Sequence, residues 1–178
     1  MSAAERFFDT NVLLYLLSGD DTRADRAEQE LSAGGVISVQ VLNEFASVAT
    51  RRLEMSIAEI REVLATIRSV CRIVPISGET HDVGLQIAEK YGLSVYDAMM
   101  VASALLAGCN TLVSEDMQHG QVIDGRLEVR NPFRRSGSDV GDRLLHTTPR
   151  SETRWPSLSG ARDSAPVSSR RCHNLTWY

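Results

Sequence analysis

The chain has 178 residues, 43% of them hydrophobic and 24% charged, with a formal charge of −4, the make-up of an ordinary globular protein. No apolar run approaches the ~18 residues of a membrane span, and the first residues lack the basic and apolar regions of a signal peptide. Cys71, Cys109 and Cys172 are scattered without a C-x-x-C spacing, which argues against a disulfide framework or a cysteine zinc site and makes a cytoplasmic location the expectation.

In chain order, "RFFD" at 6–9 reads as a strand, followed by a short helix over 11–17. A helix over 22–33 leads into the strand "GVIS" at 35–38, where Ser38 is placed to cap a helix reaching Arg52. "SIAEIREVLATIRSV" at 56–70 sets Ile57, Ile60, Val63, Leu64 and Ile67 on one helical stripe. "RIVPI" at 72–76 is a strand of buried type, and "ETHDVGLQIAEKYG" at 79–92 a helix ended by Gly92. The helix "SVYDAMMVASALLAG" at 94–108 is apolar nearly all round and therefore belongs inside. Strands "TLVS" at 111–114 and "LEV" at 127–129 close the series. The order β-α-α-β-α-α-β-α-α-β-β predicts an α/β fold, a central and mainly parallel sheet covered by helices on both faces.

The pattern stops at Phe133. Residues 134–178 are rich in Ser, Arg, Gly and Pro without a sustained period, the composition of a disordered tail. Charge divides at the same place. Residues 1–133 hold 11 basic and 19 acidic side chains, a net −8, whereas 134–178 hold 8 and 4, a net +4. The expected organisation is one folded domain over 1–133 and a tail over 134–178.

Four carboxylates stand out by position. Asp9 interrupts an apolar run with Thr10 and Asn11 behind it, and a helix cap would explain it locally. Glu44, in "SVQVLNEFASVAT", falls roughly 100° from the centre of its stripe at Phe45, where a solvated flank residue would serve as well. Asp97, three residues after Ser94, matches a capping box. Asp116, in "SEDMQHG", stands where a loop aspartate is commonplace, with Glu115 beside it expected to be exposed. Yet Asp9 and Asp116 each follow the carboxyl end of a predicted strand, and Glu44 lies early in a helix leaving a third. That rim is where open α/β sheets bind ligands. Asp97 joins the others only if its helix turns its N-terminus to the same rim.

Two carboxylates ~4 Å apart repel by roughly 4 kcal/mol at an effective dielectric of about 20. Gathering four calls for a cation, and all-oxygen ligands suit Mg²⁺ or Mn²⁺ rather than zinc. Mg²⁺ is typically shared with phosphate oxygens, which directs the reading toward phosphodiester chemistry.

The segments "FFDTNVLLYLL", "SVQVLNEF", "LSVYDAMMVASALLAGCNTLVSEDMQHGQ" and "VRNPF" together resemble a PIN-domain ribonuclease of the VapC toxin type, over residues 5–133. The resemblance implies a three-layer α/β/α PIN-like fold and a Mg²⁺-dependent endoribonuclease, with Mn²⁺ as substitute, acting on RNA as the toxin of a toxin–antitoxin pair. It also implies a cognate antitoxin protein and a homodimer. Asp9, Glu44, Asp97 and Asp116 match the family's catalytic, metal-holding acidic positions, and Asn11 and Ser114 match polar positions that support the metal. His119 matches no catalytic position and is assigned to the loop. RNA affinity would rest on local arginines such as Arg51 and Arg52, which suit charge compensation at a helix C-terminus equally well. A haloacid-dehalogenase-type phosphatase needs an aspartate where Asn11 stands, and a receiver domain needs a late lysine where this chain has only Lys90. The alternative of another class is a catalytically silent PIN scaffold that binds RNA or a partner protein.

Overall fold

The computed structural model describes residues 5–134, so the expectation for the tail beyond Arg134 lies outside the described residues. The elements follow in the order β1 (Arg6–Phe8), α1 (Thr10–Tyr15), α2 (Asp21–Ser32), β2 (Gly35–Ser38), α3 (Val39–Arg52), α4 (Ile57–Val70) and β3 (Cys71–Val74). Then come α5 (Gly78–Tyr91), α6 (Val95–Leu106), β4 (Thr111–Val113), β5 (Val122–Ile123) and β6 (Leu127–Arg130). Local chemistry starts the helices where expected. Asp20, Ser38, Ser56, Ser77 and Ser94 each accept a backbone N–H in the first turn of α2, α3, α4, α5 and α6. Gly92 closes α5 in the left-handed conformation, at a φ of 66°, that a residue with a side chain adopts only under strain.

The sheet runs β3-β2-β1-β4-β6-β5. All its neighbours pair in parallel except β5 with β6. From β1 the chain steps to β2 and β3 in one direction, then crosses back over to β4 on the other side of β1. Right-handed crossovers therefore place α1–α4 on one face and α5 with α6 on the opposite face. The packing agrees. α1 meets α2 and α3, and α3 meets α4, while α5 lies along α6, which rests on β2 and β4. Residues Ala98–Leu105 of α6 are buried on every side, as their composition requires.

Two differences from the sequence expectation have clear causes. The third strand ends at Val74 rather than Ile76, because Pro75 has no N–H to extend the ladder with β2. The strand β5, absent from the expectation, forms a hairpin with β6 around Asp124 and Gly125, at φ of 48° and 68°. Positive φ at both central positions is what a tight hairpin turn demands, and Asp-Gly supplies it readily. That dipeptide was the available signal.

The approach of β2 to β1 depends on Gly35. A Cβ there would stand 2.4 Å from the Phe8 ring and 2.7 Å from the Arg6 carbonyl oxygen. Gly35→Ala is expected to destabilise the domain by about 1–3 kcal/mol through overpacking, read as a lowered urea midpoint with unchanged slope.

Cys71 and Cys109 are buried free thiols, and burial pushes each up to about 11, away from nucleophilic reactivity. Among the described residues no helix is long and apolar enough to cross a membrane.

Candidate acidic site at the carboxyl rim of the sheet

The strand order changes direction between β1 and β4, and the crevice outside the carboxyl ends of those strands is the place an α/β sheet offers to a ligand. Asp9 follows β1 there, Ser114 and Asp116 follow β4, and α3 carries Glu44 out from the end of β2. The position of α6 answers the point the sequence left open. It runs back toward the start of β4, so its N-terminus and Asp97 lie at the same rim, and the Gln40 Nε2 of α3 donates to the Tyr96 carbonyl at 3.1 Å.

Asp9 occupies the N-cap position of α1, but its side chain makes no capping hydrogen bond. Its Oδ2 instead accepts from Ser114 Oγ at 2.5 Å and from Asn11 Nδ2 at 2.8 Å. The cap reading of Asp9 therefore fails. Asn11 Nδ2 also donates to Asp116 Oδ2 at 3.1 Å, so one amide ties the two aspartates together across the sheet. Glu44 accepts from Thr10 Oγ1 at 2.7 Å and from Gln40 Nε2 at 2.8 Å, the latter one helical turn before it. Asp97 accepts from Ser94 Oγ at 2.7 Å, while its own N–H donates to that oxygen at 3.2 Å. The capping box is therefore half made, since Ser94 caps α6 but the Asp97 carboxylate bonds the Ser94 hydroxyl instead of the backbone N–H, while its charge is felt at Asp116. Thr10 and Gln40 as holders of Glu44 were not singled out from the sequence.

The four acids feel one another's charge in pairs. Burial pushes Asp9 up to about 7; the hydrogen bond from Ser114 opposes this, and the charges of Asp116 and Glu44 add to it. Asp116 is raised by burial against the hydrogen bond from Asn11, with Glu115 and Asp97 contributing like charge. Asp116 nevertheless presents surface to solvent, which leaves the cluster open on one side. The oxygen donors suit a hard divalent cation in type. Among the described residues no three acidic, histidine or cysteine side chains converge as an ion-holding group, each carboxylate here being turned onto a hydroxyl or amide neighbour.

Glu115 departs from its expected exposure. Its side chain is 24% exposed and accepts from Arg23 Nη1 at 2.7 Å and from the Tyr15 hydroxyl. Both donors come from segments about a hundred residues away, which no local pattern reveals. His119 stays in the loop, where its Nδ1 accepts from the Asn131 N–H at 3.2 Å. Arg51 turns back on its own helix, bonding the Ser47 carbonyl at 3.2 Å and hydroxyl at 2.6 Å.

The sequence matches the PIN domain family over residues 6–123, and the chain belongs to that family. Solved structures agree on the fold. A toxin–antitoxin complex from Klebsiella pneumoniae is 24% identical, with 72% of this chain and 98% of that chain covered at a TM-score of 0.57. VapC20 from Mycobacterium tuberculosis, described as a Sarcin-Ricin loop cleaving toxin, is 20% identical over 63% of this chain and 90% of its own, at 0.53. VapBC2 from Rickettsia felis, bound to a promoter DNA fragment, is 19% identical over 71% and 98%, at 0.52. No curated protein matches the sequence.

Proposed function

We propose that this protein is a metal-dependent endoribonuclease, the toxin of a VapBC-type toxin–antitoxin pair. One observation carries the reading: Asp9, buried, makes no cap to α1 and is instead bridged by Asn11 to Asp116, within the electrostatic reach of Glu44. An uncompensated cluster of this kind is unfavourable, and a cation is the economical remedy. Membership of the PIN family supports the nuclease class, and the toxin–antitoxin complexes among its structural relatives support an antitoxin partner.

Asp9 and Asp97 would hold Mg²⁺, or Mn²⁺ in its place, with Asp116 and Glu44 completing the shell directly or through water. When bound, the ion would supply Lewis-acid activation of a water and charge neutralisation at a scissile phosphate. Ser114 and Asn11 orient Asp9 through its Oδ2. Thr10 and Gln40 hold Glu44 against α6. The open side at Asp116 admits a flexible strand of RNA.

The deciding experiment incubates the purified full chain with labelled RNA in Mg²⁺, in Mn²⁺ and in excess chelator. Cleavage at internal bonds in either metal and none in chelator is the expected result. RNA retained on the protein but left intact in both metals would instead make the chain a silent scaffold. Particle mass in solution, alone and with a co-expressed antitoxin, tests the homodimer and the partner.

A further inference from the structure

Glu115 stands between two residues of the acidic site, yet it faces away from them. Ser114 and Asp116, two positions apart, reach Asp9 and Asn11, while the side chain of Glu115 runs to Arg23 and Tyr15. Its backbone is engaged as well: its N–H donates to Asn11 Oδ1 at 3.4 Å, and its carbonyl accepts from Asn131 Nδ2 at 3.4 Å. Arg23 is itself fixed in place. Its guanidinium donates to the Tyr15 hydroxyl and lies 4.9 Å from the Tyr15 ring centre and 5.7 Å from that of Phe133. The two rings meet edge to face at 4.5 Å. Residues of α1 and α2 thus meet the Glu115 carboxylate, while the stretch after β6 holds its carbonyl through Asn131 and covers Tyr15 and Arg23 with Phe133.

We propose that Arg23 is a positioning residue of the acidic site, acting through Glu115 to fix the turn that carries Ser114 and Asp116. This rests on the nuclease reading above and deepens it. The arginine has two tasks. Its Nη1, which donates to both Glu115 and Tyr15, and its stacked position hold the Glu115 side chain on the far side of the turn, which sets the direction of Asp116. Its charge also offsets a fifth carboxylate beside four, so that Glu115 does not compete for the cation. Partners that orient metal-holding groups from outside are commonly worth 10–100-fold in metal affinity or activity.

The test compares the full-length wild type with Arg23→Gln, Arg23→Lys and Glu115→Gln, well below their melting temperatures. Mn²⁺ affinity is measured without RNA by calorimetry, and kcat and KM on a single-stranded RNA in saturating metal. Arg23→Gln is expected to weaken Mn²⁺ binding roughly 10–100-fold and to lower kcat with little change in KM. Arg23→Lys should recover part of the loss, since it keeps the charge without the planar group stacked on Tyr15 and Phe133. Glu115→Gln attacks the same link from its other end and should move both quantities in the same direction even if the Arg23 variants fail to fold. A lower melting temperature with wild-type Mn²⁺ affinity and kcat would overturn the proposal and leave Arg23 as a brace for α2. A raised KM at unchanged kcat would overturn it too, as a direct RNA contact. A wild type that neither binds Mn²⁺ nor cleaves RNA would defeat the nuclease reading itself, and the proposal with it.

Discussion

Asp9→Asn is expected to abolish RNA cleavage while making the metal-free domain more stable, not less. Both donors to Asp9, Ser114 Oγ and Asn11 Nδ2, converge on one oxygen, Oδ2. An asparagine that places its carbonyl oxygen there keeps both hydrogen bonds. What it loses is a charge that burial, Asp116 and Glu44 all disfavour. Removing such a charge costs little in the absence of metal, and asparagine suits an N-cap position as well as aspartate does, so the start of α1 is not disturbed either. Activity moves the other way. Loss of a carboxylate that holds the ion should reduce cleavage by about a hundredfold or more, at least roughly 2.7 kcal/mol of transition-state stabilisation at 1.36 kcal/mol per tenfold. Thermal melts in chelator, paired with cleavage in Mg²⁺, read both effects. An Asp9→Asn protein that melts lower and still cuts would remove Asp9 from the metal site.

The opposed signs at Asp9 explain what a sequence discloses about such a site. Placement of Asp9, Glu44 and Asp116 at strand ends was legible because strands are short apolar runs and their carboxyl ends can be read off. The choice between cap and cluster was not, since Asp9 sits at an N-cap position in either case and only the hydrogen bonds separate the two. Asp97 shows the limit from the other direction: the cap is present, and the helix also delivers the carboxylate to the rim. Helix boundaries followed Ser, Asp and Gly signals to within a residue or two, because a cap is a local bond. The two-residue β5 escaped because so short a strand carries no period, although Asp124-Gly125 marked its turn. The holders of the site were the least legible part. Tyr15, Arg23 and Phe133 meet Glu115 or one another only after the sheet has brought α1, α2 and the ends of β4 and β6 together.

A second long-range carboxylate, Glu30 of α2, should contribute to the domain's loss of stability in acid. It is 5% exposed and was given no role from sequence, yet it joins three arginines. Arg130 of β6 grips it with two bonds of 3.0 and 2.6 Å, Arg6 of β1 with one of 3.0 Å, and Arg26 stands 3.5 Å away one turn earlier. The helix is thereby fastened to two strands that flank β4, near the middle of the sheet. Burial alone would raise this carboxyl, but the hydrogen bond from Arg130 and the charges of Arg130, Arg26 and Arg6 prevail and hold it below the ordinary glutamate value. A carboxylate depressed in the folded state binds protons more readily when unfolded. Its stabilisation is therefore complete above the unfolded value of about 4.5 and disappears as pH falls through the lower folded value. Glu30→Gln keeps the shape, removes the charge and leaves partly buried guanidinium groups without their counter-ion. The expected cost at neutral pH is about 2–3 kcal/mol, the range for a charged hydrogen-bonded group whose partners keep some access to water. Urea titrations of wild type and Glu30→Gln should differ by that amount from pH 8 down to about 5, and the gap should close progressively below about 4.5. A difference that stays constant down to pH 3 would show that packing, not the ionised pairing, is what Glu30 contributes.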